Sequence, residues 1–148
     1  MSNNNIEISK FTLKDFNNIK DIIISDFDDF WNTNTFIEEL KDKNSYYIIA
    51  KIKNEIVGFA GVKIIFDEAD IMNIVTRKNM RKLGIGFYLL KNLINISKEK
   101  GVKKFTLEVN EKNIAAIHLY EKLGFKKIAV RNQYYNNIDN AIIMQLTF

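Results

Sequence analysis

The segment RKLGIG, Arg81 to Gly86, stands directly before an apolar, helix-periodic run. Glycine orders at the greatest entropic cost, so a pair of them at a helix start calls for a reason. One reason is an anion. Without side chains the backbone can approach a ligand closely, and the unpaired amides of a first helical turn point at it. Arg81 and Lys82 add positive charge beside that cradle. A tight strand-to-helix turn is the competing account. Two well-known phosphate loops do not fit. A P-loop needs Lys and then Ser or Thr after its last glycine, where Phe87 and Tyr88 stand. A dinucleotide fingerprint needs a third glycine where Leu89 stands, and the strand before this segment belongs to an antiparallel meander.

Further along, KKFTLEVN puts Phe105, Leu107 and Val109 on one strand face and Thr106, Glu108 and Asn110 on the other. Glu108 is then a carboxylate turned to solvent or to an ion-pair partner. On the helix that follows, Asn113 and Tyr120 lie two turns apart and share a face. Asn113 is placed to cap that helix, and core packing is one role open to Tyr120. His118, flanked by Ile117 and Leu119, has no acidic companions and makes a poor metal site. Asp26, Asp28 and Asp29 alternate with Phe27 and Phe30 and read as a helix end entering a loop, where they would attract a basic peptide more readily than a metal.

The elements that must position these groups follow from periodicity. Ile6 to Ile8 reads as a short strand, and Leu13, Phe16, Ile19, Ile23 and Phe27 recur at helical spacing. TNTFIEELKD reads as a second helix, with Thr33 or Thr35 as N-cap and Glu38 at capping-box distance from Thr35. YYIIAKIK and IVGFAGVKIIF are strands separated by a turn at Asn54-Glu55, and EADIMNIVT follows a turn at Asp67-Glu68. Ile85 to Ser97 is helical, with Leu89, Leu90, Leu93, Ile94 and Ile96 as its apolar stripe and Gly101 as its stop. The helix NIAAIHLYEKLG ends at Gly124, and FKKIAVRNQYY and NAIIMQLTF are the closing strands. The order β-α-α-β-β-β-α-β-α-β-β, with right-handed crossovers, predicts an α+β fold: a mixed, mostly antiparallel twisted sheet of about seven strands, covered on both faces by about four helices.

Composition narrows the class. The chain has 148 residues and no linker-like block, which fits one domain spanning 1–148. It contains no cysteine, which excludes disulfides, thiolate metal sites and cysteine nucleophiles and suits a reducing cytoplasm. The N-terminus lacks the basic and apolar regions of a signal peptide, and no apolar run approaches the ~20 residues of a membrane span. A net charge of +4 favours anionic ligands only mildly. Basic residues interleaved with stacking aromatics are missing, so direct nucleic-acid binding is not expected.

RKLGIG after DIMNIVT, with LEVNEKNIAAIHLYEKLGF downstream, resembles the GCN5-related N-acetyltransferase (GNAT) superfamily over almost the whole chain. DEADIMNIV, the LEV strand, RNQYY and DNAIIM are similar to its RimI-type ribosomal-protein alanine N-acetyltransferases. Two departures stand out: Lys78 replaces a frequent proline before the loop, and Phe30-Trp31-Asn32 replaces the usual Pro-Trp-Ser. The resemblance implies acetyl-CoA as cosubstrate, without a metal. Arg81, Gly84 and Gly86 match the pyrophosphate loop; the amides of Leu83, Gly84, Ile85, Gly86 and Phe87 would wrap the anion, with Arg81 and Lys82 adding charge beside it. It also implies that Ile74, Val75 and Thr76 offer backbone groups to the acetyl and pantetheine portions and that Asn113 contacts CoA. Glu108 becomes the general base and Tyr120 the general acid. Phe30, Trp31, Arg131, Tyr134 and Tyr135 become acceptor-site candidates. The implied acceptor is the N-terminal segment of a protein, ribosomal by analogy. A small amine, a lysine, or acetyl-CoA binding without turnover are the alternatives.

Overall fold

The computed structural model describes residues 5–26, 33–78, 84–135 and 138–148, of which 23–26, 33 and 135 are described by their backbone alone. The order is β1 (Ile6–Lys10), α1 (Leu13–Asp26), α2 (Thr33–Lys41), β2 (Ser45–Ile52), β3 (Glu55–Ile65), β4 (Glu68–Thr76), α3 (Ile85–Glu99), β5 (Lys104–Asn110), α4 (Ile114–Lys122), β6 (Lys126–Tyr135) and β7 (Asp139–Thr147). The strands form one sheet in the order β1-β2-β3-β4-β5-β7-β6. All neighbours are antiparallel except β4 and β5, so the expected mixed, mostly antiparallel sheet is present.

Period-2 alternation divides the core between the two sheet faces. Ile48, Ala50, Ala60 and Val62 turn to one face, where Leu89, Leu90, Leu93 and Ile94 of α3 and part of α4 cover them. Tyr47, Ile49 and Phe59 turn to the other, under α1 and α2. Phe36 of α2 is the centre of that second cluster. Its ring centroid lies 5.0–5.8 Å from those of Phe11, Phe16, Tyr47 and Phe59.

Helix ends follow local chemistry. Thr12 and Asp15 cap α1 reciprocally: Thr12 N–H donates to Asp15 Oδ2 at 3.0 Å, and Asp15 N–H donates to Thr12 Oγ1 at 3.2 Å. The Thr12 amide holds the Asp15 carboxyl below its ordinary range. Helices α3 and α4 stop where expected, with Gly101 and Gly124 at φ of 97° and 102°.

Three local expectations are corrected. Helix α2 already includes Thr33 as its first residue, which places both Thr33 and Thr35 inside it and neither at its cap. The β2–β3 turn is Lys53-Asn54, both at positive φ, as a two-residue hairpin requires, and Glu55 already belongs to β3. The β3–β4 turn is Phe66-Asp67, with Phe66 at φ 57° and 94% exposed, while Glu68 opens β4.

Gly61 has a packing reason. A Cβ built there would stand 2.2 Å from the Tyr47 ring, which is itself only 2% exposed. Gly61→Ala should therefore destabilise the protein by about 3 kcal/mol, the upper part of the usual overpacking range. The melting midpoint should drop by roughly 10 °C in a thermal melt. An unchanged midpoint would mean that the Tyr47 ring moves aside freely.

Candidate active site

Pairing between β4 and β5 runs from Glu68 opposite Lys104 to Asp70 opposite Thr106 and ends there. The cause lies in β4. Met72 is an extra residue between Ile71, opposite Val62, and Asn73, opposite Gly61. A bulge of this kind bends its strand. Meanwhile β5 remains paired with β7 as far as Asn110 opposite Ala141. One strand turns with β3, the other with β7, and a gap opens through the sheet.

The gap exposes backbone. Arg77 N–H donates to Val57 C=O at 2.9 Å, and the next rung sets Thr76 opposite Gly58. Antiparallel alternation then directs the polar backbone groups of Val75 to β3 and those of Ile74 and Thr76 into the gap. Val75 also buries its side chain in the aromatic cluster. Ile74 and Thr76 line a cavity of about 490 Å³ together with Gly84, Gly86, Phe87 and Tyr120.

At this cavity α3 begins. Gly84 is its N-cap at φ 79°, and Tyr88 N–H donates to Gly84 C=O at 3.0 Å. The amides of Ile85, Gly86 and Phe87 precede that bond and have no acceptor within the helix. The two glycines serve different ends. A Cβ on Gly84 would meet nothing within 4 Å, so its backbone angle is the requirement. A Cβ on Gly86 would make only ordinary contacts, 3.4 Å from Leu119 Cδ1 and 3.9 Å from Ile74 Cγ2, but would take up space in the cavity that Gly86 lines. These features fit a bound anion approached closely by backbone. The Lys122 ammonium, 4.8 Å over the Phe87 ring, adds positive charge. Arg81, Lys82 and Leu83 lie outside the described residues.

Helix α4 contributes two side chains to the gap. Asn113 caps it, accepting the Ala116 N–H at 3.2 Å. Asn113 and Tyr120 line both the first cavity and a second of about 400 Å³ that lies in the gap beside Glu108 and Asn110. The Tyr120 ring is held 6.0 Å from that of Phe125.

On the α1/α2 face a third cavity of about 470 Å³ is lined by Asp70, Met72, Thr106, Glu108 and Tyr134. Glu108 Oε1 lies 3.1 Å from Arg131 Nη2, and the guanidinium stacks 4.6 Å over the Tyr134 ring. With the two side chains 30% and 49% exposed, such a pair contributes at most about 1 kcal/mol. An incoming ammonium can therefore compete with Arg131 for Glu108 at small cost. Desolvation, with Glu68 adding to it, raises the Asp70 carboxyl above its ordinary range.

The second cavity shares Ile74, Asn113 and Tyr120 with the first and Glu108 with the third, so it lies between the anion cradle and Glu108. The β5–α4 turn beside it is pinned to β7. Asn110 Nδ2 donates to Asp139 Oδ2 at 3.1 Å, and Lys112 Nζ lies 2.8 Å from Asp139 Oδ1. Lys112 first, and Asn110 second, keep the Asp139 carboxyl below its ordinary value.

Of the residues named from sequence, Glu108, Arg131 and Tyr134 meet on one side, and Ile74, Thr76, Gly84, Ile85, Gly86, Phe87, Asn113 and Tyr120 on the other. Phe30 and Trp31, like Asp28 and Asp29, lie outside the described residues. Tyr135 is described by its backbone alone, opposite Asp139. Asp70 and Met72 were not foreseen. Alternation already put Asp70 opposite in facing to Ala69, but only the bulge shows that both border a gap. His118 is exposed on α4. Among the described residues no group of three His, Cys, Asp or Glu could hold a metal ion, and no helix is long and apolar enough to cross a membrane.

A mixed sheet split between its two parallel strands, with a glycine-headed helix at the split, makes a cleft suited to an anionic ligand. The model of the acetyltransferase (GNAT) family matches residues 16–125, and the chain belongs to that family. It is 34% identical over 119 residues to the ribosomal protein bS18-alanine N-acetyltransferase of Escherichia coli K12, covering 78% of this chain and 80% of that one. The crystal structure of the E. coli ribosomal-protein-S18-alanine N-acetyltransferase superposes with a TM-score of 0.87 at 30% identity, over 96% of this chain and 93% of the other. A Bacillus anthracis protein crystallised with acetyl coenzyme A shares the fold at 24% identity and a TM-score of 0.79, over 100% and 99% of the two chains. Membership of the family makes the protein an N-acetyltransferase that uses acetyl-CoA.

Proposed function

We infer that this enzyme acetylates the α-amine of a protein N-terminus, the N-terminal alanine of a ribosomal protein. The observation that carries the reading is that Glu108 and Tyr120 line one cavity in the split sheet, while Arg131 and Tyr134, read here as the acceptor wall, stand beside Glu108 on the side away from α3. The 34% identity to the E. coli enzyme supports this acceptor. Phe30, Trp31 and Tyr135 complete the acceptor site in this reading. The work is done by one domain, residues 1–148, in the cytoplasm.

Acetyl-CoA supplies the activated acetyl thioester. The amides of Ile85 to Phe87, with Arg81, Lys82 and Leu83 before them, hold its pyrophosphate, and Asn113 contacts it from α4. The backbone groups of Ile74 and Thr76 stabilise the charge that grows on the acetyl oxygen, whereas those of Val75, expected from sequence to join them, are turned to β3. Glu108 takes the proton the amine sheds as its nitrogen bonds to the acetyl carbon. Tyr120 gives a proton to the sulfur as the C–S bond breaks, which a phenol of pKa ~10 can do for a thiolate whose thiol has pKa ~8.5. An α-amine of pKa ~8 is roughly a tenth neutral at pH 7, against about one in several thousand for lysine at ~10.4, so an N-terminal acceptor asks little of its base.

The test mixes the protein with acetyl-CoA and peptides starting with Ala, Ser, Gly or Met, each also with its α-amine blocked, and follows CoA release and product mass. Acetylation of the free Ala peptide, abolished by blocking, is expected. Faster turnover of polyamines or of internal lysines would overturn the acceptor assignment and leave the cofactor half intact.

A further inference from the structure

We propose that Glu111 and Asn140 are positioning residues for the acceptor wall, acting through the backbone of Gln133; the inference rests on the acceptor-side reading above. Between Arg131, opposite Ala141, and Tyr135, opposite Asp139, strand β6 carries three residues against Asn140 alone. The middle one, Gln133, sits at φ 51°, a left-handed conformation that a glutamine holds only under constraint.

The constraint is a relay of hydrogen bonds. Gln133 N–H donates to Asn140 Oδ1 at 2.7 Å. Asn140 in turn donates to Glu111, its N–H to Oε2 at 2.8 Å and its Nδ2 to Oε1 at 3.4 Å. Glu111 N–H returns a bond to Asn140 C=O at 3.0 Å. An ionised carboxylate only accepts and a backbone N–H only donates, so a single orientation of the Asn140 amide serves both neighbours. Glu111 thereby orients the side chain that holds Gln133.

The two ends of this relay matter to the site. Glu111 lies three residues beyond Glu108 on the continuation of β5. Gln133 is flanked by the residues that approach Glu108: Arg131 at 3.1 Å from its carboxylate, and Tyr134 under the Arg131 guanidinium. The bulge turns this segment of the strand, and the relay fixes how far. If it is released, the acceptor wall loses its aim, while the α3 amides and Tyr120, on the other side of the gap, stay in place. The loss should fall on acceptor binding.

Glu111→Ala, Asn140→Asp and the double variant Glu111→Gln/Asn140→Asp decide the matter. Steady-state kinetics with the Ala peptide, calorimetry with acetyl-CoA and amide hydrogen exchange would be measured on each. Both single variants should raise the acceptor KM about tenfold, the scale of one lost charge-assisted hydrogen bond, with kcat and the acetyl-CoA Kd little changed. Asn140→Asp deprives Glu111 of its side-chain donor and sets two carboxylates face to face. Adding Glu111→Gln supplies a donor from the opposite side, so the double variant should recover most of the KM. Exchange at the Gln133 amide should accelerate in the single variants and slow again in the double, with Ile142 and Met144 unaffected. The exchange measurement needs no acceptor. A wild-type enzyme inert towards every peptide would overturn the acceptor reading alone, and the relay would then stand or fall on Gln133 exchange. Unchanged Gln133 exchange in the single variants, or a double variant as impaired as Asn140→Asp, would overturn the relay.

Discussion

Glu108→Gln is expected to lower kcat for an N-terminal acceptor by roughly 10²- to 10³-fold at pH 7, within the range for loss of a positioned general base. The amide keeps an oxygen for the Arg131 guanidinium now 3.1 Å away, so the acceptor wall survives the change. Calorimetry should find acetyl-CoA binding as in the wild type, because the α3 amides are on the far side of the gap. The deficit should narrow as pH rises past ~8, where an α-amine arrives already neutral, and should persist to about pH 10 with a lysine acceptor. A pH-rate profile of the variant therefore reads the base and the acceptor class together. An undiminished rate near pH 7 would leave Glu108 as an ion-pair partner only.

Tyr120→Phe is expected to cost a comparable factor, about 10²-fold or more in kcat, with both KM values near those of the wild type. The ring stays, and with it the packing 6.0 Å from Phe125, so a loss of rate cannot be charged to a disturbed core. An acetyl donor with a more acidic thiol needs less help in leaving, and with it the deficit should shrink. Should the deficit be the same for good and poor leaving groups, Tyr120 acts by shaping the cavity and another group delivers the proton.

The readability of these groups varied with the distance over which their positions are decided. The facing of Glu108 was legible because strand alternation is local: Phe105, Leu107 and Val109 are indeed buried, and Glu108 turns the other way. Asn113 as a cap and its shared face with Tyr120 follow from helix geometry within eight residues. Turn positions slipped by one residue, since Lys53 and Phe66 accept positive φ that their side chains do not advertise. Thr12 and Asp15 had the capping-box spacing and could have been read. The Glu108–Arg131 pair spans 23 positions, and only the placement of β7 between β5 and β6 brings it together.

By itself the sequence determined the order and type of the elements, the apolar faces, the missing cysteine chemistry and a glycine-headed helix suited to an anion. These depend on side-chain period and backbone preference within a few residues of chain. Only the tertiary structure decided that β4 leaves β5 after Asp70, because the bulge at Met72 expresses itself as a bend against β3 while β7 holds β5 back. That divergence lets Tyr120 and Glu108 border one cavity from opposite sides of the sheet. No local period encodes it, since it arises from strands paired to different neighbours.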